Sequence, residues 1–365
     1  MVDRSISAGF VCAAARTAAL LTLIASMLLS LSACAPAPAG PGEAGPAPTL
    51  VDAERVSMGS PVHLSAWTAD PVRAGVAFDA AFDEFDRLDA MMTVWRDDSD
   101  ILRVNAAAGQ HPVRVQPEVR EVLRAAREVS ELTGGKFDVT FGALAGLWKF
   151  DHDQDNVIPD RAAVQRRLPL IDYTTIVVDD QAGTVFLTRP GVSVHLGGIG
   201  KGYAVDRAAA ILRQAGIADF MIQAGGDLYV GGRRGDRPWR VGIRDPRGPA
   251  DRSFAALDLT DATFSTSGDY ERFFLRGGRR YHHILDPDTG EPATRSRSVT
   301  VVSERAILAD AIAKGIFILG PDAGIALVEK LRGVEAVIVG AGNEVVISSG
   351  FRERLQVLAP PTDAP

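Results

Sequence analysis

His283, Asp310 and Lys201 are the side chains of this chain best placed by type and spacing to do chemistry. His283 follows the strand-like pair Arg280-Tyr281 and precedes the turn Asp286-Pro287-Asp288-Thr289-Gly290. A histidine presented from a turn can act as a general base near neutral pH. It could equally be held by hydrogen bonds within the turn. On a helical wheel Asp310 lies beside Ala306, Ala313 and Phe317, against an apolar stripe. A carboxylate there needs a partner. A metal ion would serve, and so would Lys314, four residues on in the acid-before-base order that suits a helix ion pair. Lys201 falls in Leu196-Gly197-Gly198-Ile199-Gly200-Lys201-Gly202-Tyr203. Four glycines let backbone N–H groups approach an anion, a following helix adds its dipole, and the lysine adds a full charge. The alternative is a tight packing turn. A Walker A loop would need Gly at position 195 and Ser or Thr at 202, which here are His and Gly. A dinucleotide fingerprint would need Gly at position 203, which is Tyr.

The elements that must position these groups are read from periodicity. Val192, Val194 and Leu196 alternate as in a half-buried strand, and helical spacing runs from Ala204 to Ala215 before Gly216 stops it. Residues 75–92 carry Phe78, Phe82, Phe85 and Leu88 on one face, an amphipathic helix. Pro117 opens a helix that Gly134-Gly135 closes, and another runs from about Glu304 to Gly320-Pro321. Strands are expected at 56–67 (with a turn at 59–61), 175–178, 185–188, 220 onward, 239–243, 298–302 and around Val337 and Val345. The fold class is α+β: mixed sheets with flanking helices, in one interleaved domain that could divide into two lobes. Residues 151–156 resemble a calcium loop only at first sight. Asn156 and Ala162 stand where an EF-hand needs Gly and Glu, so they read as a solvated loop.

The 365 residues suffice for a sizeable core, and 46% hydrophobic with 23% charged residues is a globular composition. A net charge of −7 argues against a nucleic-acid partner. Both cysteines, Cys12 and Cys34, lie near the start, so the rest has neither disulfide nor thiol nucleophile. Arg16 precedes an uncharged apolar run over residues 18–31, the length of a signal h-region. The run ends in Leu31-Ser32-Ala33-Cys34, which resembles a bacterial lipobox. Residues 1–33 are then a lipoprotein signal peptide, 34–50 a Pro/Ala/Gly-rich linker and 51–360 the catalytic domain. The protein is expected to be exported and anchored to a bacterial membrane by lipid on Cys34.

Taken in order, several pieces resemble the FAD:protein FMN transferase (ApbE-like) family. They are Met58-Gly59, the patch Met92 to Trp95 with Asp98-Ser99-Asp100-Ile101 and Asn105, Phe137-Asp138-Val139-Thr140 with Trp148, and the glycine-rich stretch. Ala224-Gly225-Gly226-Asp227, Ser267-Gly268-Asp269-Tyr270, His283-Ile284-Leu285-Asp286-Pro287 and Ala309-Asp310-Ala311 complete the series. The resemblance implies a magnesium-assisted cut of the FAD pyrophosphate. FMN passes to a Thr or Ser hydroxyl of an exported acceptor protein, and AMP leaves. Met58, Trp95, Lys136, Phe137, Asp138, His195, Ile284 and Leu285 would then hold the flavin nucleotide, Lys201 the pyrophosphate, and His283 would be the base. Magnesium would sit at Gly198, Asp310 and position 314. Three residues depart from the family pattern: Trp95 replaces Tyr, His195 replaces Asp, and Lys314 replaces the metal-binding Thr. An FAD pyrophosphatase giving FMN and AMP, and a flavin-binding lipoprotein without catalysis, are the other functions compatible with these residues.

Overall fold

In the computed structural model, which describes residues 46–364, eight antiparallel strands follow one another across a single sheet in chain order. They are β1 (Thr49–Ser57), β2 (Ser60–Thr68), β3 (Phe220–Ala224), β4 (Asp227–Gly231), β5 (Ala262–Gly268), β6 (Ser296–Ser303), β7 (Glu335–Gly340) and β8 (Val345–Ile347). β1 starts inside the stretch assigned to the linker. The expected single strand at 56–67 is the tail of β1 plus β2, joined by Met58-Gly59. Both turn residues have positive φ (50° and 69°), the geometry that lets a two-residue hairpin follow the sheet twist.

Both faces of the sheet are covered, which is why β6 and β7 read as nearly continuous apolar runs. Val299, Val301, Ala336 and Ile338 face a helical layer. Val302, Val337 and Val339 face Trp239, Phe254 and Leu257 of a small sheet formed by Trp239–Arg244, Ser253–Leu259 and Gln356–Val357. The helical layer holds α1 (Pro71–Met92), α2 (Asp100–Ala106), α3 (Pro117–Leu132), α5 (Gly200–Gln214), α6 (Ala306–Leu319) and α7 (Pro321–Val328), while α4 (Arg161–Arg167) lies apart, its Val164 packed with Leu144 and Trp148. Asp70 caps α1 by accepting from Arg73 N–H, and Ser99 caps α2 through Leu102 N–H.

The α+β class holds, and every ladder among the described residues is antiparallel. From Pro48 the chain forms one compact unit. Two insertions into the sequential sheet carry most of the candidate residues. The first, between β2 and β3, holds α1 to α5 and a second small sheet of Val113–Arg114, Ile176–Asp179 and Thr184–Leu187. The other, between β5 and β6, holds two short hairpins, Phe273–Arg276 with Arg279–His282 and Leu285–Asp286 with Glu291–Pro292. The signal segment and Cys34 lie outside the described residues. No described helix is long and apolar enough to cross a membrane.

Candidate active site

The two helices α5 and α6 fix the charged part of the site by capping each other. Ile199 at the start of α5 and Arg305 at the start of α6 provide no side-chain cap. Asp310 of α6 instead accepts from Gly202 N–H in the first turn of α5 (2.9 Å). Asp206 of α5 accepts from Ala306 and Ile307 N–H at the start of α6 (2.8 and 3.0 Å). Each helix thus satisfies orphan donors of the other. The approach is close enough that Gly202 admits no Cβ, which would meet the Ala306 carbonyl oxygen.

The glycine-rich stretch is therefore organised differently from the expectation. α5 begins at Gly200, so Lys201 and Gly202 belong to its first turn. The Val192, Val194 and Leu196 side chains are buried in alternation, but the segment is no strand. Among the described residues its only β contact is an isolated bridge between Ser193 and Phe141. Asn105 holds it instead: Val194 N–H donates to Asn105 Oδ1 (2.7 Å), and Asn105 Nδ2 donates back to the Val194 carbonyl (2.9 Å).

Beside this corner opens a cavity of about 400 Å³, lined by Trp95, Lys136, Phe137, Asp138, His195, Gly198, His283, Ile284, Leu285 and Lys314, among others. Three of the expected residues are outside its wall. Met58 packs behind it, its Cε 3.6 Å from where a Cβ of Gly200 would stand. Asp310 is fully buried beneath it. Lys201 extends toward the turn at Gly225 and Ser60, its Cε 3.7 Å from the Cβ position of Gly225, and makes no ion pair among the described residues.

The adjacent histidines divide two roles. His282 is the turn-holding one: Nε2 donates to the Ala293 carbonyl (2.8 Å) and Nδ1 accepts from Ile284 N–H (3.3 Å). His283 faces the cavity, and its buried Nδ1 has no partner among the described residues. Burial, then His282, Arg272 and the two lysines, push its pKa well below the ordinary 6.5. At neutral pH it is an uncharged imidazole with a free lone pair, the state a general base requires.

Other expected contacts are already engaged within the protein. Asp138 accepts from Thr140 N–H and Oγ1 and from Tyr173 N–H (2.8, 2.6 and 2.9 Å), so it braces a turn rather than offering a free carboxylate to a ligand. Lys136 donates to Asp286 and Asp288 (2.9 and 2.6 Å), which joins the loop after α3 to the hairpin following His283. Trp95 stands at the mouth, 53% exposed, with His152 edge-on at 4.4 Å. His195 is kept neutral by burial, and its Nδ1 accepts from Gly197 N–H (3.0 Å).

Of the two partners open to Asp310, the structure contains the lysine. Lys314 Nζ contacts Asp310 Oδ1 directly and donates to the Asp310 carbonyl oxygen at 2.9 Å. With Oδ2 accepting from Gly202, both oxygens of this carboxylate are engaged. Magnesium takes oxygen donors at about 2.1 Å, and an ammonium has no lone pair to give. The residues present therefore do not fit the metal expected at Gly198, Asp310 and Lys314. Asp227, at the start of β4, is nearby. Burial and the Asp310 charge push its pKa up to about 6, and Ser265 donates to it.

Sequence reasoning missed several of these contributors. Asp151, placed in a solvated loop, lines the cavity and pairs with Arg272. Asp206, which caps α6, is not among the residues singled out from the sequence, and Asp227 figures there only as the end of a glycine turn. None of these has a local signal, because each partner is remote in sequence.

Residues 58–338 match the ApbE family. The chain is 32% identical to an FAD:protein FMN transferase of Klebsiella pneumoniae, over 83% of this chain and 93% of that one. It is 33% identical to one of Treponema pallidum, over 77% and 82%. Among solved structures, the ApbE protein of Thermotoga maritima superposes with a TM-score of 0.78 at 31% identity, covering 84% of this chain and 99% of that one. The flavin transferase ApbE of Vibrio cholerae gives 0.75 at 26%, with the same coverage.

Proposed function

The chain belongs to the ApbE family of FAD:protein FMN transferases, and from that premise we propose that it transfers FMN from FAD to a Thr or Ser hydroxyl of an exported protein. The observation that carries this reading is a neutral histidine, His283, and a lysine, Lys314, in one cavity wall, with the first turn of α5 behind it. The flavin occupies the apolar part between Phe137, Trp95 and Ile284. The pyrophosphate lies toward the first turn of α5, where Lys201 and the helix dipole offset its charge. The acceptor hydroxyl attacks the phosphorus of the FMN half and gives its proton to the imidazole of His283. The bond from that phosphorus to the bridging oxygen breaks, and AMP leaves with the oxygen. Negative charge growing on the phosphoryl oxygens is met by groups already in place. Magnesium has no step in this reaction scheme, since the donors around Asp310 are closed.

The acceptor is a second exported protein, and the chain itself is held at a bacterial membrane by lipid on Cys34. Acyl labelling and membrane fractionation test the anchor. The activity is tested by incubating the protein with FAD and an exported protein carrying a Ser/Thr-Gly-Ala-Thr run. An acceptor gaining the mass of FMN, with AMP released in equal amount, is the expected result. Free FMN and AMP with an unmodified acceptor would make the protein a pyrophosphatase, and unchanged FAD would make it a flavin-binding lipoprotein.

A further inference from the structure

Lys314 lies along the wall where the cavity meets α5. Its Cδ is 3.1 Å from where a Cβ of Gly198 would stand, and its side chain keeps 19% exposure toward the cavity. Its ammonium touches the buried carboxylate of Asp310, while Lys201, in the first turn of α5, extends beside the turn at Gly225. A divalent cation bound to Asp310 Oδ1 would have to stand about 2.1 Å from that oxygen, in the space the ammonium fills. The two occupants exclude each other by volume and by charge.

We propose that Lys314 is the resident cation of this site: its ammonium, together with that of Lys201, neutralises the pyrophosphate of FAD, so that this chain binds FAD without a divalent metal. The proposal rests on the transferase reading for the identity of the ligand. The charges are consistent with it. A dinucleotide pyrophosphate carries two negative charges; the Lys314 ammonium in the cavity wall is shared with Asp310, and behind that wall stand Lys201 and the positive end of the α5 dipole. Asp310 has a double task, capping α5 through Gly202 and setting the position of the ammonium. One lysine supplies one charge where magnesium would supply two. A variant with an oxygen donor at position 314 should therefore lose FAD affinity in chelator and regain it with metal.

The test is FAD binding to the full-length protein in detergent, measured calorimetrically in chelator and in magnesium. Three proteins are compared: wild type, Lys314→Thr and Lys314→Met. Wild-type affinity should be the same in both conditions. Lys314→Thr should bind FAD about tenfold to a hundredfold more weakly in chelator, the range of one lost charge-assisted contact, and should recover in magnesium. Lys314→Met, which keeps the length but offers no oxygen, should show the loss without the recovery. Manganese alone, followed by its paramagnetic resonance, should bind Lys314→Thr and not the wild type. A wild-type affinity that collapses in chelator, manganese bound by the wild type, or undiminished FAD binding by Lys314→Met would each overturn the proposal. Failure of all three proteins to bind FAD in any condition would overturn the transferase reading first, and the proposal with it.

Discussion

The two walls of the cavity are built on different principles. The wall of α5 and α6 belongs to the main core: Ala204, Ala208, Ala306, Ala309 and Ala313 are wholly buried, so the two helices approach closely and cap each other with Asp310 and Asp206. Charge positions there are fixed by a buried network. The opposite wall is aromatic and rests on a separate small cluster of Leu144, Trp148, Phe150, Val164, Phe274, Tyr281 and Leu285. It is tied back at few points, among them Trp148 Nε1 donating to the Gly290 carbonyl (2.7 Å). One wall holds charges in fixed positions, and the other offers stacked aromatic surface. A ligand with a charged linkage and a planar ring system asks for both. Substitutions in the charged wall should discriminate between ligands or between steps, whereas those in the aromatic wall should not.

The largest effect is expected from His283→Ala. A general base acts on the attacking hydroxyl, so FAD binding should survive while single-turnover transfer falls about a hundredfold to ten-thousandfold. The pH dependence follows from the same residue. Burial lowers the His283 pKa well below 6.5, so the imidazole is still unprotonated at a pH where an ordinary histidine is half charged. The wild-type rate should stay level as pH falls from 8 through 6.5 and drop only below that. A limb centred at or above 6.5, or a rate for the variant within a few-fold of wild type, would remove His283 from the chemistry.

Lys201→Ala comes next. If the first turn of α5 holds the pyrophosphate, FAD affinity should fall about tenfold to a hundredfold and FMN affinity by less, since FMN lacks the second phosphate and the adenosine. Equal losses in paired titrations would place Lys201 elsewhere. Asp206→Ala tests the foundation of the same wall. It removes the acceptor for two N–H groups of α6, and loss of such a cap costs about 0.5–2 kcal/mol. The melting temperature should drop accordingly, and any loss of affinity should be larger for FAD than for FMN, since the loosened helix carries Lys314. An unchanged melting temperature would show that water replaces the cap at no cost.

The difference between the walls also explains what could be read from the sequence. α1, α3 and α6 were legible because their apolar residues recur at helical spacing and their ends carry Pro or Gly. The start of α5 was not, because its cap is Asp310, 108 positions from Gly202. Residues 192–196 have the alternating burial of a strand but no neighbouring strand, so the pattern was right about the side chains and wrong about the ladder. For Asp310 and Lys314, residue types left metal and ion pair open, and only the positions of Gly202 N–H and the ammonium separate them. The glycine turns, His283 and the aromatic residues were visible as types in order. The engagement of Asp138 by Tyr173, and the place of Asp151 in the wall, depend on how the loops fold back, which no local pattern encodes.

The aromatic wall gives the smallest and most diagnostic expectation. Trp95 is half exposed at the mouth and touches His152 edge-on, so it supports little of the fold. Its value lies in surface offered to a planar ligand, and an aromatic contact of this kind is worth about 0.5–1.5 kcal/mol. Trp95→Ala should weaken FAD by a few-fold to about tenfold. Because the ring system is common to both ligands, FMN should weaken by the same factor, and Trp95→Phe should restore most of the loss for each. The melting temperature should not move. Lys201→Ala is expected to separate FAD from FMN and Trp95→Ala to treat them alike, so the ratio of the two affinities distinguishes the walls within one set of titrations. If Trp95→Ala weakened FAD alone, the indole would be stacking on the adenine. The flavin would then lie at the other end of the cavity, and the assignment of rings and charges to the two walls would have to be reversed.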